Sequence, residues 1–228
     1  MVGKAAAELA IVVVGVTLAL WADDWASERA DRENEQSRLV ALRDNIDETL
    51  VDVEEHLGDA EEAAKNLRAI VSEMPAPANE MRDRIRWGLF YGPVFSPQLN
   101  VYDDLKSSGE LSLLTNPSLR SALAKMDASM GRIELAQSDL TSVQQMHVDS
   151  YAVDSTNVRI FYGEELGLHR PDVSDTDHLD FADEPGFKSR MVLKLDLVAQ
   201  LGIRFREAQE VLLNVRDLID EQLASDSN

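Results

Sequence analysis

The sequence predicts an all-α protein. An N-terminal transmembrane helix continues into a long heptad helix, and the whole packs as an elongated antiparallel helical bundle. Three observations carry this. Apolar residues recur three and four positions apart over three long stretches. Only 11 Gly and 7 Pro fall in 228 residues, lean for an all-β chain with its many turns. An apolar run of 17 residues, AAAELAIVVVGVTLALW over Ala5–Trp21, opens the chain. Composition sharpens the class. The net charge of −20, from 22 Lys+Arg against 42 Asp+Glu, argues against nucleic acid as a partner, because phosphate binding needs clustered cations. At 44% hydrophobic the chain is too apolar to be disordered throughout. With no cysteine it has no disulfide, thiolate metal site or thiol nucleophile.

Residues 1–25 read as a membrane anchor and 26–228 as an acidic helical bundle domain. At about 1.5 Å per residue the apolar run is roughly 25 Å long, at the lower limit of a span. Trp21 and Trp25 share one helix face and suit a headgroup boundary, and Asp23 and Asp24 stop the apolar run. A cleaved signal peptide and a buried soluble helix are the competing readings. Lys4 gives a thin n-region with no clean cleavage site, and the run is apolar nearly all round where a soluble surface helix shows a polar face. Lys4 before the run against Arg29, Arg32 and Arg38 after it favours the large domain inside, whereas a short tail before an apolar run behaves like a signal anchor and favours it outside, the orientation expected here.

Glu8, Val12, Gly15 and Ala19 form one stripe, and Gly15-x-x-x-Ala19 lets two helix backbones approach closely. Glu8 in that stripe is either a proton or ion site in an oligomer interior or a carboxylate paired with Lys4 one turn earlier.

The long helix is expected over 26–74. Its seam is Leu39, Leu42, Ile46, Leu50, Val53, Leu57, Ala60, Ala64, Leu67, Val71 and Met74, about five heptads with one irregularity near Ile46. Pro75 and Pro77 end it. Short helices follow within 79–108, the first carrying an aromatic-rich end at Trp87–Phe95. Ser96 is expected to cap the second, with Pro97 at its first position, and Gly109 to end it in the left-handed conformation. Leu111, Leu113 and Leu114 read as a buried linker. Asn116 caps and Pro117 opens a helix over 117–148, with Leu119, Leu123, Met126, Met130, Ile133, Leu140 and Val143 or His147 on its seam. Residues 150–188 are irregular, and a last helix over 188–223 carries Leu195, Val198, Leu201, Phe205, Ala208, Leu212, Val215 and Ile219.

Two stretches, Glu8–Trp25 and Tyr102-Asp-Asp-Leu-Lys-Ser-Ser-Gly109-Glu-Leu-Ser-Leu-Leu114, together resemble a domain-of-unknown-function family of bacterial membrane proteins. Its members open with a Glu-led apolar helix holding one Gly and ending in an Asn/Asp-x-Trp stretch, and carry a Tyr-x-x-Leu-Lys-x-x-Gly segment further on. The resemblance implies a membrane-anchored helical protein of the bacterial inner membrane and supplies no activity.

Catalytic machinery is not visible. Asp172, Asp175, Asp177 and Asp180 lack the Gly and terminal Glu of a calcium loop and read as a solvated acidic loop. His56, His147, His169 and His178 show no zinc or di-iron spacing. Met126 and Met130 read as core filling. Tyr102, Asp103, Lys106, Ser107 and Gly109 are a candidate docking surface, against a plain helix end with ordinary surface residues.

The expected function is therefore a non-enzymatic, cofactor-free interaction protein. It would be single-pass, held by the lipid bilayer, homo-oligomeric and open to a protein partner, with its large domain in the periplasm. Two alternatives stand beside it. One is an extracytoplasmic sensor or small-ligand-binding bundle, with Trp87–Phe95 and 150–188 framing a pocket. The other is a subunit of an ion or proton pathway using Glu8.

Overall fold

The computed structural model describes residues 2–73, 78–149 and 186–226, with side chains described at 15–27, 29, 32–73, 84–149 and 186–225. The described residues form helices joined by short non-helical stretches, with no strand among them: α1 (Val2–Glu73), α2 (Ala78–Leu89), α3 (Asn100–Ser107), a 3₁₀ turn (Glu110–Leu113), α4 (Pro117–Val143), a π-helical turn (Gln144–Asp149) and α5 (Phe187–Asp226).

α1 runs 72 residues without a break, about 108 Å. Nothing in its sequence interrupts it, since it holds no proline and its Gly58 touches no neighbour. α5 lies antiparallel to it. Arg206 pairs with Glu61, Arg216 with Asp47 and Arg43 with Asp220, so the residue on α5 falls as the residue on α1 rises. α4 also runs against α5, with Arg132 beside Glu207 near its middle and Gln144 beside Lys194 at its end.

A broken column fills the remaining position. It descends from Arg84 beside Glu73, through the non-helical residues 90–99 and α3, to Glu110, which pairs with Arg38 at 2.8 Å. The chain thus goes up, down, up and down, the order of a four-helix bundle in which the second member is only partly helical. A non-helical segment inside a bundle leaves backbone groups that water cannot reach. Two side-chain amides meet them. Gln137 of α4 accepts from the Phe95 N–H at 2.7 Å and donates to its carbonyl at 3.1 Å. Asn45 of α1 donates to the Gln98 carbonyl at 2.5 Å and accepts from the Val101 N–H at 3.3 Å.

The core follows the expected seams and is wider than they are. On α1, Leu39, Leu42, Ile46, Leu50, Val53, Ala60, Ala64 and Leu67 are buried, together with Ala63 and Ile70. Leu57 and Val71 are only half-buried, and Met74 lies outside the described residues. The helix is covered on two sides, by α5 and by the broken column, so its buried arc exceeds a single a/d stripe. On α4, Leu119, Leu123, Met126, Met130, Ile133 and Leu140 are buried; on α5, Val198, Leu201, Phe205, Ala208, Leu212, Val215 and Ile219 are. Each such large side chain contributes about 1.5–3 kcal/mol by leaving water. At the end nearest the N-terminus, Glu35 ties the columns together: its Oε1 accepts from the Thr115 N–H at 2.9 Å, the Thr115 hydroxyl at 3.0 Å and the Gln222 amide at 2.8 Å.

Four local expectations are corrected. α3 starts at Asn100 with Leu99 at the cap, three residues after Pro97, because Asn45 and Gln137 hold residues 95–98 in a non-helical path. Leu113 is exposed, since the 3₁₀ turn points only Leu114 fully inward. His147 is exposed and Val148 is buried instead, because the wider π turn rotates the seam. Leu195 is half-buried, while Phe187, Met191 and Lys194 extend the core of α5 beyond the expected start of its seam. Asn116, by contrast, caps α4 as read, accepting from the Ser118 and Leu119 N–H groups with Pro117 in the first turn. Gly109 has φ +79°, the left-handed value that glycine adopts without steric cost.

Candidate functional site

The feature that sets this bundle apart is the part of α1 that leaves it. Near its end α5 meets residue 35 of α1, where Gln222 bonds Glu35, and the α1 residues before that point run on for about 50 Å, past the described ends of the other helices. The side chains described there are exposed, including Val16, Leu18, Leu20, Trp21 (68%) and Trp25 (52%). A large exposed apolar surface marks a membrane or protein contact. Arg29 pairs with Glu33 at 3.0 Å and its guanidinium lies 5.8 Å from the Trp25 ring, so the polar stretch after Trp25 is laced to itself along the helix.

Gly15 and Ala19 lie on this extension, and a methyl group placed on Gly15 would meet nothing within 4 Å. The side chains of Glu8 and Val12, and most of the expected anchor at 1–25, lie outside the described residues. Among the described residues no helix is long and apolar enough to cross a membrane; the described side chains begin at Gly15 and so take in only the end of the apolar run.

The 102–109 set is brought together at the end of α3, where its hydrogen bonds run to neighbouring groups of α3 and α4. Tyr102 is buried (3%). Lys106 donates to Asp127 of α4 at 2.7 Å and lies 5.6 Å from the Tyr102 ring. That hydrogen bond to Asp127 holds the lysine above its usual range. The Ser107 hydroxyl donates to the Asp104 carbonyl at 3.1 Å. Asp103, Lys106, Ser107 and Gly109 remain exposed. The geometry joins α3 to α4 and closes a helix end.

Sequence reasoning missed one polar place altogether and one wall of another. Lys194 is fully buried, and its ammonium donates to the Leu89 carbonyl of α2 and to Gln144 Oε1 in the π turn. Burial lowers its pKa to about 7, with the charge of Asp149 acting in the opposite direction. The only signal in the sequence is a lysine one heptad before Leu201, at a position the α5 seam reaches if it is extended backwards.

The second place is a cavity of about 460 Å³ on the flank of the bundle, opening between α1 and the 86–94 stretch. His56 and Asp59 of α1 form one wall, and Trp87, Phe90, Tyr91, Pro93 and Val94 the other. The aromatic stretch expected to frame a pocket therefore does so against α1; residues 150–185 lie outside the described residues. His56 packs against Phe95 and Phe205, with ring centroids 5.2 and 5.8 Å away.

No family model, no characterised protein and no solved structure matches the chain.

Proposed function

We propose that the chain is a single-pass, membrane-anchored helical interaction protein that self-assembles. Residues 5–21 would lie in the bilayer, with Trp21 and Trp25 at its boundary. Residues 22–34 would form a helical stalk of about 20 Å that holds the bundle off the surface. The Glu8, Val12, Gly15 and Ala19 stripe would be the face on which copies meet. The likeness of Glu8–Trp25 and Tyr102–Leu114 to a family of bacterial membrane proteins supports an inner-membrane anchor. One observation carries the reading. The apolar residues of α1 from Val16 to Trp25 are exposed on a helix that has already left its bundle, and they continue directly from an apolar run.

The test compares the full chain with a truncated chain beginning at Ala26, measuring partition into lipid vesicles and assembly mass in detergent. Full-length protein in the vesicle fraction as a defined oligomer, with the truncated chain free and monomeric, is the expected result. A truncated chain that still floats with vesicles would overturn the anchor. Equal masses for the two would overturn self-assembly through the stripe.

A second reading, a small-ligand-binding bundle, is favoured by the cavity at His56, Asp59 and Trp87. It sits in the bundle rather than in the anchor and is compatible with the first reading.

A further inference from the structure

We propose that the cavity between α1 and residues 86–94 binds an organic ammonium ion, a compact cation with an apolar body. The inference rests on the ligand-binding reading above and names the chemistry of its ligand. Asp59 supplies the charge. It stands exposed on the cavity wall and makes no hydrogen bond or ion pair with a described residue. Trp87 supplies the surface. The residue is 57% exposed, and the Arg86 guanidinium 5.9 Å from its centroid marks it as a surface for a cation, one for which a ligand would compete. Indole is the ring face on which cations bind best.

His56 supplies an acceptor. Its Nδ1 lies 2.8 Å from the Asp52 carbonyl, which can only accept, so Nδ1 carries the proton and Nε2 of the neutral ring keeps a lone pair. Phe90, Pro93 and Val94 line the cavity with apolar atoms that suit the body of such a ligand. Beside them the Tyr91 hydroxyl is buried without a hydrogen-bond partner among the described residues.

The electrostatics select the sign of the ligand. An anion would meet the unpaired carboxylate of Asp59 and the long-range field of a chain carrying −20, whereas a cation is drawn in by both. Burial and the nearby Asp59 charge keep the Tyr91 phenol protonated, so it presents a neutral ring. Arg86 also lines the cavity with its guanidinium near the Trp87 ring, so a cationic ligand takes that face by displacing it, drawn by Asp59.

The experiment is calorimetric titration of the full-length protein in detergent with choline and with 3,3-dimethylbutan-1-ol, the same shape without the charge. Choline is expected to bind saturably, and the alcohol at least about tenfold more weakly. Asp59→Asn is expected to weaken choline by about tenfold, and Trp87→Leu by roughly three- to tenfold, the range of a cation on an aromatic face. Both side chains are exposed, so circular dichroism melts should be unchanged and a folding defect is separable. Equal binding of choline and the alcohol would overturn the cation inference while leaving a ligand-binding bundle standing. Choline binding that neither substitution weakens would place the ligand elsewhere and overturn the inference too. Binding by neither probe, nor by phenethylammonium, would remove both the inference and the reading it rests on.

Discussion

α1 is one helix with two lives. From Glu35 to Glu73 it alternates buried seam residues with charged ones, and it is covered by α5 and the broken column. From Gly15 to Asn34 it is the same helix with the same backbone bonds, yet its described side chains are exposed, large apolar ones included. The difference teaches that helix continuity and helix burial are separate matters. Continuity needs only the absence of proline and adequate propensity. Burial needs a pattern that matches a partner, and the apolar face of residues 16–21 is too broad for the bundle seam that α1 presents further on.

The sharpest way to break the comparison is to cut large side chains from each half. Phe205 of α5 is fully buried and packs against His56 of α1 with a centroid distance of 5.8 Å and against Phe95 at 5.2 Å. Phe205→Ala should cost about 3–5 kcal/mol of bundle stability. The double change Leu18→Ala with Trp21→Ala should leave the denaturation midpoint within about 0.5 kcal/mol, since neither side chain packs on the bundle. Chemical denaturation of the detergent-solubilised protein reads both, and a large loss from the double change would mean that the projecting half is folded against something.

The next effect lies at the far end of the packed half and depends on pH. Lys194 titrates at about 7 in the folded protein against an ordinary 10.5. Between those values the unfolded chain holds a proton that the folded one has released, so stability rises with pH across that window, by at most about 1.4 kcal/mol per pH unit. Below pH 7 both states are protonated and the full cost of the buried charge is present. Lys194→Met should flatten the rise between pH 7 and 10. A slope identical in the two proteins would place the titration elsewhere.

A smaller effect tests what covers the packed half. Asn45→Ala removes the side-chain partner of both the Gln98 carbonyl and the Val101 N–H, and should cost about 2 kcal/mol with faster hydrogen exchange at Val101. The smallest concerns Gly88 of α2. A methyl there would lie 3.2 Å from the Leu67 backbone nitrogen and 3.2 Å from Ile70 Cδ1 of α1. Gly88→Ala gains helix propensity and loses this fit, so a net destabilisation of about 1 kcal/mol is expected in the same denaturation assay. A stabilised variant would show that α2 can draw back from α1 freely.

Much of this was legible in the chain. The seams of α4 and α5 follow from their three-and-four spacing, and Asn116-Pro117 and Gly109 mark a helix start and a helix end by local chemistry alone. The misses share one cause. Ser96-Pro97 is a sound helix-start signal, but the helix waits until Asn100 because amides from two other helices, Asn45 and Gln137, satisfy the backbone ahead of it. His147 looked seam-compatible, but a π turn set it outside. The cavity was half legible: Trp87–Phe95 stood out as aromatic, whereas its facing wall, His56 and Asp59, sits about thirty residues earlier on another helix. Lys194 was not legible, since a lysine reads as a surface residue until a carbonyl and an amide are seen to enclose it.

The sequence by itself determined the helical class, the end of α1 ahead of Pro75, most of each seam and the Asn116 cap, because periodicity, proline and glycine act within one or two turns. Only the tertiary structure decided where α1 leaves its partners, which column is broken, which amides hold it, and which lysine is enclosed. Those outcomes depend on groups far apart in the chain meeting at hydrogen-bond distance, and no local pattern records which of them will meet.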